Sequence, residues 1–414
     1  MFKNVFLQIV KNCEEYLDDI MEKYSGSNGP HKVEFFGNVD VGNDISLTDL
    51  KNKYHSVVLL YGCTSGDRKL NIPGIELPGV ISARQFVNWY NGHPDCHGKS
   101  DYSPPALDSI ENVTIVGNGN VALDVARILL VNEKHWEKTD ISQEALDLLK
   151  RSTVKHVDIV ARRGILESAF SNKEIRELLE LSKGDLGFIP LSKDVLGTIV
   201  SESKKLGRID KRRVALLEKY SKVPNPSATR TWSLKYLRGP KKIVEENESV
   251  SSVLFSVNEV AEGKVTTTEA TESMKSDLVI LSIGYQGSSL KEFEELGLEF
   301  EGNKIKNNAG RAVSTDDAAI PGWYASGWIK TGPKGVIATT MEESFMTADS
   351  VIEDLSNNIF TEGDKENKDG KLDINGVSWN QWLKINQHEL NAGKKVGRPR
   401  VKIESLDELL AVAK

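Results

Sequence analysis

Cysteine is nearly missing from this chain. Cys13, Cys63 and Cys96 are the only three among 414 residues, with no Cys-x-x-Cys pair and no metal-ligand spacing. That excludes a disulfide framework and a cysteine-held cluster, and it suits a reducing compartment. Long apolar runs are also lacking. None approaches the ~20 residues needed to span a bilayer, although peripheral membrane association stays open. The opening MFKNVFLQIVKNCEEYLDDIMEKY has an amphipathic, acidic helical pattern, unlike a signal peptide or an Arg-rich, acid-poor transit peptide. There is no GxSxG, HExxH or P-loop, so hydrolase and kinase readings have no residue support. A net charge of −7 argues against a protein that coats nucleic acid. His93, Cys96 and His97 in HPDCH read as part of a Pro-Gly loop, and DKENKDG fails as a calcium loop, so no metal site is assigned.

What is present is the composition of a globular protein, 39% hydrophobic and 27% charged, long enough for two domains. The chain is organised around VTIVGNGNVALDVARILL. Val113 to Val116 suit a buried strand, Gly117 to Asn120 a turn, and Val121, Leu123, Val125, Ile128 and Leu129 the apolar face of a helix. Gly117 allows a tight turn, Gly119 lets backbone N–H groups approach a pyrophosphate, and Ala122 permits close helix–strand packing. The positive helix end then faces the anion.

Upstream, HKVEFFGNVDVG reads as a short strand turning at Gly42, followed by a helix capped by Ser46 or Thr48. SVVLLYG and SDLVILSIG read as strands buried on both faces, each leading to an Ile-Pro-Gly (Ile72 to Gly74, Ile320 to Gly322). The pair suggests two nucleotide-binding units with the glycine turn between them. Asp140 and Gln143 form an expected capping box for ISQEALDLLKRS. VDIVARRG is the second strand of the dinucleotide unit. Arg162 and Arg163 stand where an NAD site carries an acidic residue, so NADP is favoured.

Phe170 to Lys242 reads as helical and locally basic, with Trp232 and Tyr236 interleaved. It is either a solvated face or a dock for an acidic protein. A strand Trp323 to Ala325, a glycine loop and a helix from near Val336 place a second helix N-terminus where it can face a bound ring or phosphate. The tail holds a polar linker from Ser356, a helix anchored by Trp379 and Trp382, and GRPR (Gly397 to Arg400), read as linker.

GNGNVALDVARILL, VARRGILESAFSNKEIREL, NWYNG and SGWIKTGPKGVIATTMEESF resemble the adrenodoxin-reductase family, the NADPH–adrenodoxin (ferredoxin) oxidoreductases, over nearly the whole chain. The resemblance implies an α/β fold of two Rossmann-like domains, with the NADP domain (residues 110–313) inserted into a discontinuous FAD domain (1–109 and 314–414). It implies electron flow from NADPH through FAD to a small acidic [2Fe-2S] ferredoxin of the adrenodoxin type, in the mitochondrial matrix. By resemblance, NADP is held by Asn118, Gly119, Asn120, Val121, Arg162, Arg163, Glu174 and Gly335. FAD is held by Val41, Trp328, Gly335, Val336 and Ile337. Asp124 lies on the nicotinamide side, and Arg176, Arg230, Lys235 and Arg238 fall on the ferredoxin-docking face. The family opens with a GxGxxG for FAD, which this sequence lacks before Val113. The expectation is a fragment or mis-started gene model, and a non-catalytic NADP-binding fragment is the alternative. A glutamate-synthase-like flavoenzyme would need cysteine-rich cluster motifs, absent here.

Overall fold

The computed structural model describes residues 16–25, 31–63, 66–98, 101–192, 195, 206–261, 264–333, 335, 337–359 and 372–414. The start of the expected N-terminal helix, most of the polar linker and Val336 lie outside them. Residues 16–24 are helical. Contacts gather the chain into two compact units. One comprises residues 1–66, 286–391 and 406–414, the other residues 67–285 and 392–405.

The second unit is built on a six-stranded parallel sheet. Its order is Val80–Ser82, Leu278–Leu281, Asn112–Val116, His156–Val160, Arg230–Lys235, Leu186–Phe188. Ile115, Val157, Leu278 and Ile280 are at most 1% exposed, as expected for strands covered on both faces. The helices Asn120–Leu130 and Asn172–Leu181 bury Leu123, Val125, Ile175 and Leu179 in the same core. Asp277 fixes one end of the sheet. Its Oδ2 accepts from the backbone N–H groups of Glu111 and Asn112, at 3.0 and 2.8 Å. Burial pulls its carboxyl up, but these bonds outweigh that and hold it below the usual range. A three-stranded antiparallel sheet, Arg238–Glu246, Ser249–Ala261 and Lys264–Lys275, completes this unit.

The first unit carries a smaller mixed sheet ordered Val57–Leu59, Ala319–Ala325, Arg311–Val313, Asn307–Asn308. Val57 pairs in parallel with Trp323, and Leu47, Leu298, Ile305 and Ile329 fill the core beneath. Arg311 ties the helix Ile337–Ser356 to this sheet. Its guanidinium grips both oxygens of Asp354 at 2.8 Å, and the Tyr324 hydroxyl donates to the same carboxylate at 2.9 Å.

Several expectations are corrected. Val57–Leu59 is a strand, but Val58 is 38% exposed and Leu60 66%, so this run is not buried on both faces. Leu278–Leu281 hydrogen-bonds to the strand of the glycine turn, so it extends that unit rather than founding another. HKVEFFGNVDVG makes only two isolated bridges, Gly37 to Val377 and Val41 to Ile45. RTWSLKYLRGPKK holds the strand Arg230–Lys235 and the start of Arg238–Glu246, not a helix: the first lies within the parallel sheet with Trp232, Ser233 and Leu234 buried in succession, and Tyr236 (2% exposed) is buried just past its end. Ser46 is the cap of Leu47–Lys53, accepting from Asp49 N. Ser142, accepting from Ala145 N, caps Gln143–Lys150 in place of the expected Asp140–Gln143 box.

GRPR is not a linker. Arg398 is buried and donates to the carbonyls of Thr139 (2.8 Å) and Ile141, and to Gln143 Oε1 at 3.1 Å. Arg398→Ala would strand two carbonyls and remove charge-assisted bonds. The expected loss is about 2–4 kcal/mol of unfolding free energy, read from urea midpoints.

Candidate functional site: a nucleotide cradle

The cradle begins where the strand Asn112–Val116 ends. Gly117 has φ +116, and a Cβ there would lie 2.1 Å from the carbonyl oxygen of Ser282. Its own N–H donates to Val160 O at 2.9 Å, so the turn is clamped between both neighbouring strands. Only glycine meets both demands. Gly119 caps the helix Asn120–Leu130 with no side-chain hydrogen bond, and a Cβ would meet nothing within 4 Å. The helix end is therefore open toward an anion. Ala122 is fully buried behind it, and Asn118 and Val121 are half-buried at the mouth.

Asn120 has a further duty. Its Oδ1 accepts the backbone N–H of Ser171 at 2.8 Å. This ties the cap of the helix Asn172–Leu181 to the start of the first helix.

Arg162 and Arg163 follow the strand His156–Val160, and both side chains are exposed. Their backbone is held firmly. Asn258 Nδ2 donates to Arg162 O at 2.8 Å, and Leu237 N donates to Arg163 O at 3.1 Å. Neither guanidinium has an ion-pair partner among the described residues, which leaves both available for a dianionic phosphate.

Arg213 shapes the loop that follows, and its sequence context gave no sign of this. It is buried, with its NH1 3.1 Å from Leu166 O, its NH2 3.4 Å from Phe170 O, and its guanidinium 5.6 Å from the Phe170 ring centroid. One cation of the stretch RIDKRR thus organises residues 165–170, while Arg208, Lys211 and Arg212 are exposed. Only helical periodicity, placing Arg213 on the face of Leu217, hinted at its burial.

Beside the cradle three carboxylates share one guanidinium. Arg127 pairs with Asp124, with Glu177 at 3.0 Å and with Glu174 at 3.9 Å. The two sides of this cluster respond differently. Burial opposes the charge on Arg127, yet the three carboxylates hold its pKa above the ordinary value. Asp124 and Glu174 are pushed up, chiefly by burial, because one cation cannot serve three anions. The cluster therefore favours holding a proton.

In the first unit, Gly327 (φ +66) starts the short helix Trp328–Thr331, and Trp328 is half-buried. Lys330 is 5% exposed and paired with Glu343 Oε2 at 2.9 Å, which links that short helix to Ile337–Ser356. Gly335 has φ +91, and Ile337 opens the long helix with its side chain 39% exposed. Val41 is half-buried beside Gly42, whose φ is +100. Gly335 has no side chain to obstruct its N–H, whereas the Gly42 N–H is already spent on Ile45 O at 2.7 Å. Val336 lies outside the described residues.

The expected docking cations do not form one free patch. Arg176 is exposed on the helix Asn172–Leu181, and Lys235 is half-buried. Arg230 reaches Leu130 O at 3.3 Å, and Arg238 pairs with Glu272 at 2.6 Å. Trp232 and Tyr236 are core residues and present no surface.

No family model matches the chain. Curated relatives do. A Saccharomyces cerevisiae protein named "Probable NADPH:adrenodoxin oxidoreductase, mitochondrial" is 38% identical, over 97% of this chain and 85% of its own length. The Homo sapiens "NADPH:adrenodoxin oxidoreductase, mitochondrial" is 37% identical, over 92% and 78%. Among solved structures, Mycobacterium tuberculosis FprA in complex with NADPH superposes with a TM-score of 0.81 at 32% identity, covering 98% of this chain and 87% of that one.

Two outcomes follow from the geometry. Gly117→Ala should cost more than about 2 kcal/mol in urea unfolding and abolish nucleotide binding measured by calorimetry. Asp124→Asn should gain stability over the parent as pH rises. Below the ordinary carboxylate range Asp124 is protonated in both folded and unfolded states, so the two proteins differ little. As pH climbs through that range only the unfolded chain ionises freely, and the parent's disadvantage grows until the raised folded value is passed. Urea midpoints between pH 4 and 7.5 read the difference.

Proposed function

The chain belongs to the NADPH:adrenodoxin oxidoreductase family, and from that premise we propose that it passes electrons from NADPH through FAD to a small acidic [2Fe-2S] ferredoxin of the mitochondrial matrix. As a member it is an NADPH-dependent flavoprotein oxidoreductase that uses FAD and NADP. The observation that carries the NADP assignment is one pairing. A turn that admits no side chain opens at Gly117, and two unpaired guanidiniums stand past the end of the adjoining strand.

In this reading the inserted unit is the NADP domain. Gly119 and the first turn of the helix receive the pyrophosphate, with Asn118 and Val121 at its rim. Asn120 keeps the loop at Ser171 in place, and Arg162 and Arg163 take the 2′-phosphate. Asp124 stands on the nicotinamide side, its carboxyl pushed up by burial and by Glu177 against the pull of Arg127. Bound FAD supplies the passage from a two-electron hydride donor to a one-electron acceptor, chemistry no side chain offers. The residues present fit that group. Gly335 and the N-terminus of Ile337–Ser356 offer N–H groups to it, Trp328 shields it, and the backbone at Val41 meets its adenine side. Of the expected docking cations, exposed Arg176 with half-buried Lys235 would meet the ferredoxin, since Arg230 and Arg238 are engaged within the chain.

The first test is the visible spectrum of the purified chain after incubation with excess FAD. Flavin bands that survive desalting support the reading. Their loss, with NADPH binding retained, would make the chain a nucleotide-binding protein instead. Replacing Arg162 and Arg163 by Ala should weaken NADPH by about 10- to 100-fold while NADH changes little, since only NADPH carries the 2′-phosphate. Equal loss for both coenzymes would remove the pair from the site.

A further inference from the structure

Away from the nucleotide cradle, the same unit gathers one histidine and two carboxylates from three distant stretches of chain. His97 ends the HPDCH loop and is 6% exposed. Its Nε2 lies 2.7 Å from the carbonyl of Trp89. A carbonyl can only accept, so Nε2 carries the proton and donates it. Nδ1 on the other side of the ring faces Glu144 Oε2 at 3.2 Å and Glu404 Oε2 at 3.3 Å. Glu144 stands in the first turn of the helix Gln143–Lys150. Glu404 is backed by Gly92, where a Cβ would come within 3.2 Å of its Oε1.

This tautomer sets a constraint. A neutral His97 would aim its Nδ1 lone pair at two anionic oxygens, which is repulsive. A proton shared between the ring and a carboxyl, or a cation shared by all three groups, would relieve it.

We propose that His97 Nδ1, Glu144 and Glu404 bind one divalent transition-metal ion, with Zn²⁺ the best match and a fourth position open to water. Three observations fit the ion. The ligand atoms all lie within 4.8 Å of one another, and the two Nδ1–oxygen separations are those of neighbouring corners in a tetrahedral shell. Bonds of about 2.0–2.1 Å to zinc place tetrahedral neighbours about 3.3 Å apart. The backbone carbonyl on the far ring nitrogen is the outer-shell arrangement that orients metal-binding histidines. One nitrogen and two carboxylate oxygens suit zinc, whereas calcium and magnesium prefer an all-oxygen shell. Access is also provided. The Glu144 side chain is 55% exposed, so an ion can arrive from solvent while the ring stays buried. Neither carboxylate makes an ion pair with Lys or Arg within 4.0 Å among the described residues; the resident cation that acts on Glu404 is Arg398, which is spent on Thr139 O, Ile141 O and Gln143. The ion would staple residues 392–405 to the helices Ala83–Tyr90 and Gln143–Lys150.

The test is a calorimetric titration of the chelator-stripped full chain with Zn²⁺, alongside Glu404→Gln and His97→Gln. The parent should take up one Zn²⁺ per chain. Glu404→Gln should weaken binding at least about tenfold, and His97→Gln should abolish it. Co²⁺ in place of Zn²⁺ should give the intense visible bands of a tetrahedral site, bleached by excess Zn²⁺. If His97→Gln fails to fold, Glu144→Gln, at a half-exposed position, takes its place. No stoichiometric uptake would overturn the proposal and leave an imidazolium held between two carboxylates. Uptake that is equal in the parent and in Glu404→Gln would overturn it too, as an adventitious surface site.

Discussion

The contact between Gly117 and the Ser282 carbonyl governs the nucleotide-binding unit. A backbone pressed that closely against its neighbour forbids any side chain, and the positive φ it requires is open to glycine at little steric cost. Because Gly117 N–H also bonds to Val160 O, the turn is fixed against the strands on both sides. The open helix end at Gly119, the loop carrying Arg162 and Arg163, and the buried acid cluster all take their positions from that clamp.

Charge is distributed around this frame according to burial. Arg162 and Arg163 are left exposed and unpaired, which suits a ligand that brings its own negative charge. Arg127 is buried with an excess of carboxylates, so Asp124 and Glu174 resist ionisation. Arg213 and Arg398, by contrast, spend their donors mainly on backbone carbonyls and fix loop shape. Five arginines therefore do three different jobs. The number of backbone carbonyls and acids within reach decides which.

Much of the cradle could be read directly from the residues. A buried strand, Gly117, Gly119, Ala122 and an apolar-faced helix are a local pattern, and local backbone demands are written in consecutive residues. The arginine pair was visible for the same reason, at the end of a periodic strand. The basic stretch around Trp232 and Tyr236 reads as helical surface because charge is conspicuous in sequence while a place inside a sheet is not. The strand Leu278–Leu281 was misassigned as the start of a separate unit because an apolar run does not say which strand it will pair with.

The sequence by itself determined the class of fold, the glycine turn and the place of the arginine pair past a strand end, since each depends on a run of consecutive residues. Tertiary structure alone decided which cations are free, that Asn120 holds Ser171, and that Arg398 is core rather than linker. It also decided that His97 meets Glu144 and Glu404. Those facts depend on long-range pairing, and a side chain's partner across hundreds of residues is set by how strands order in a sheet, which no local pattern encodes.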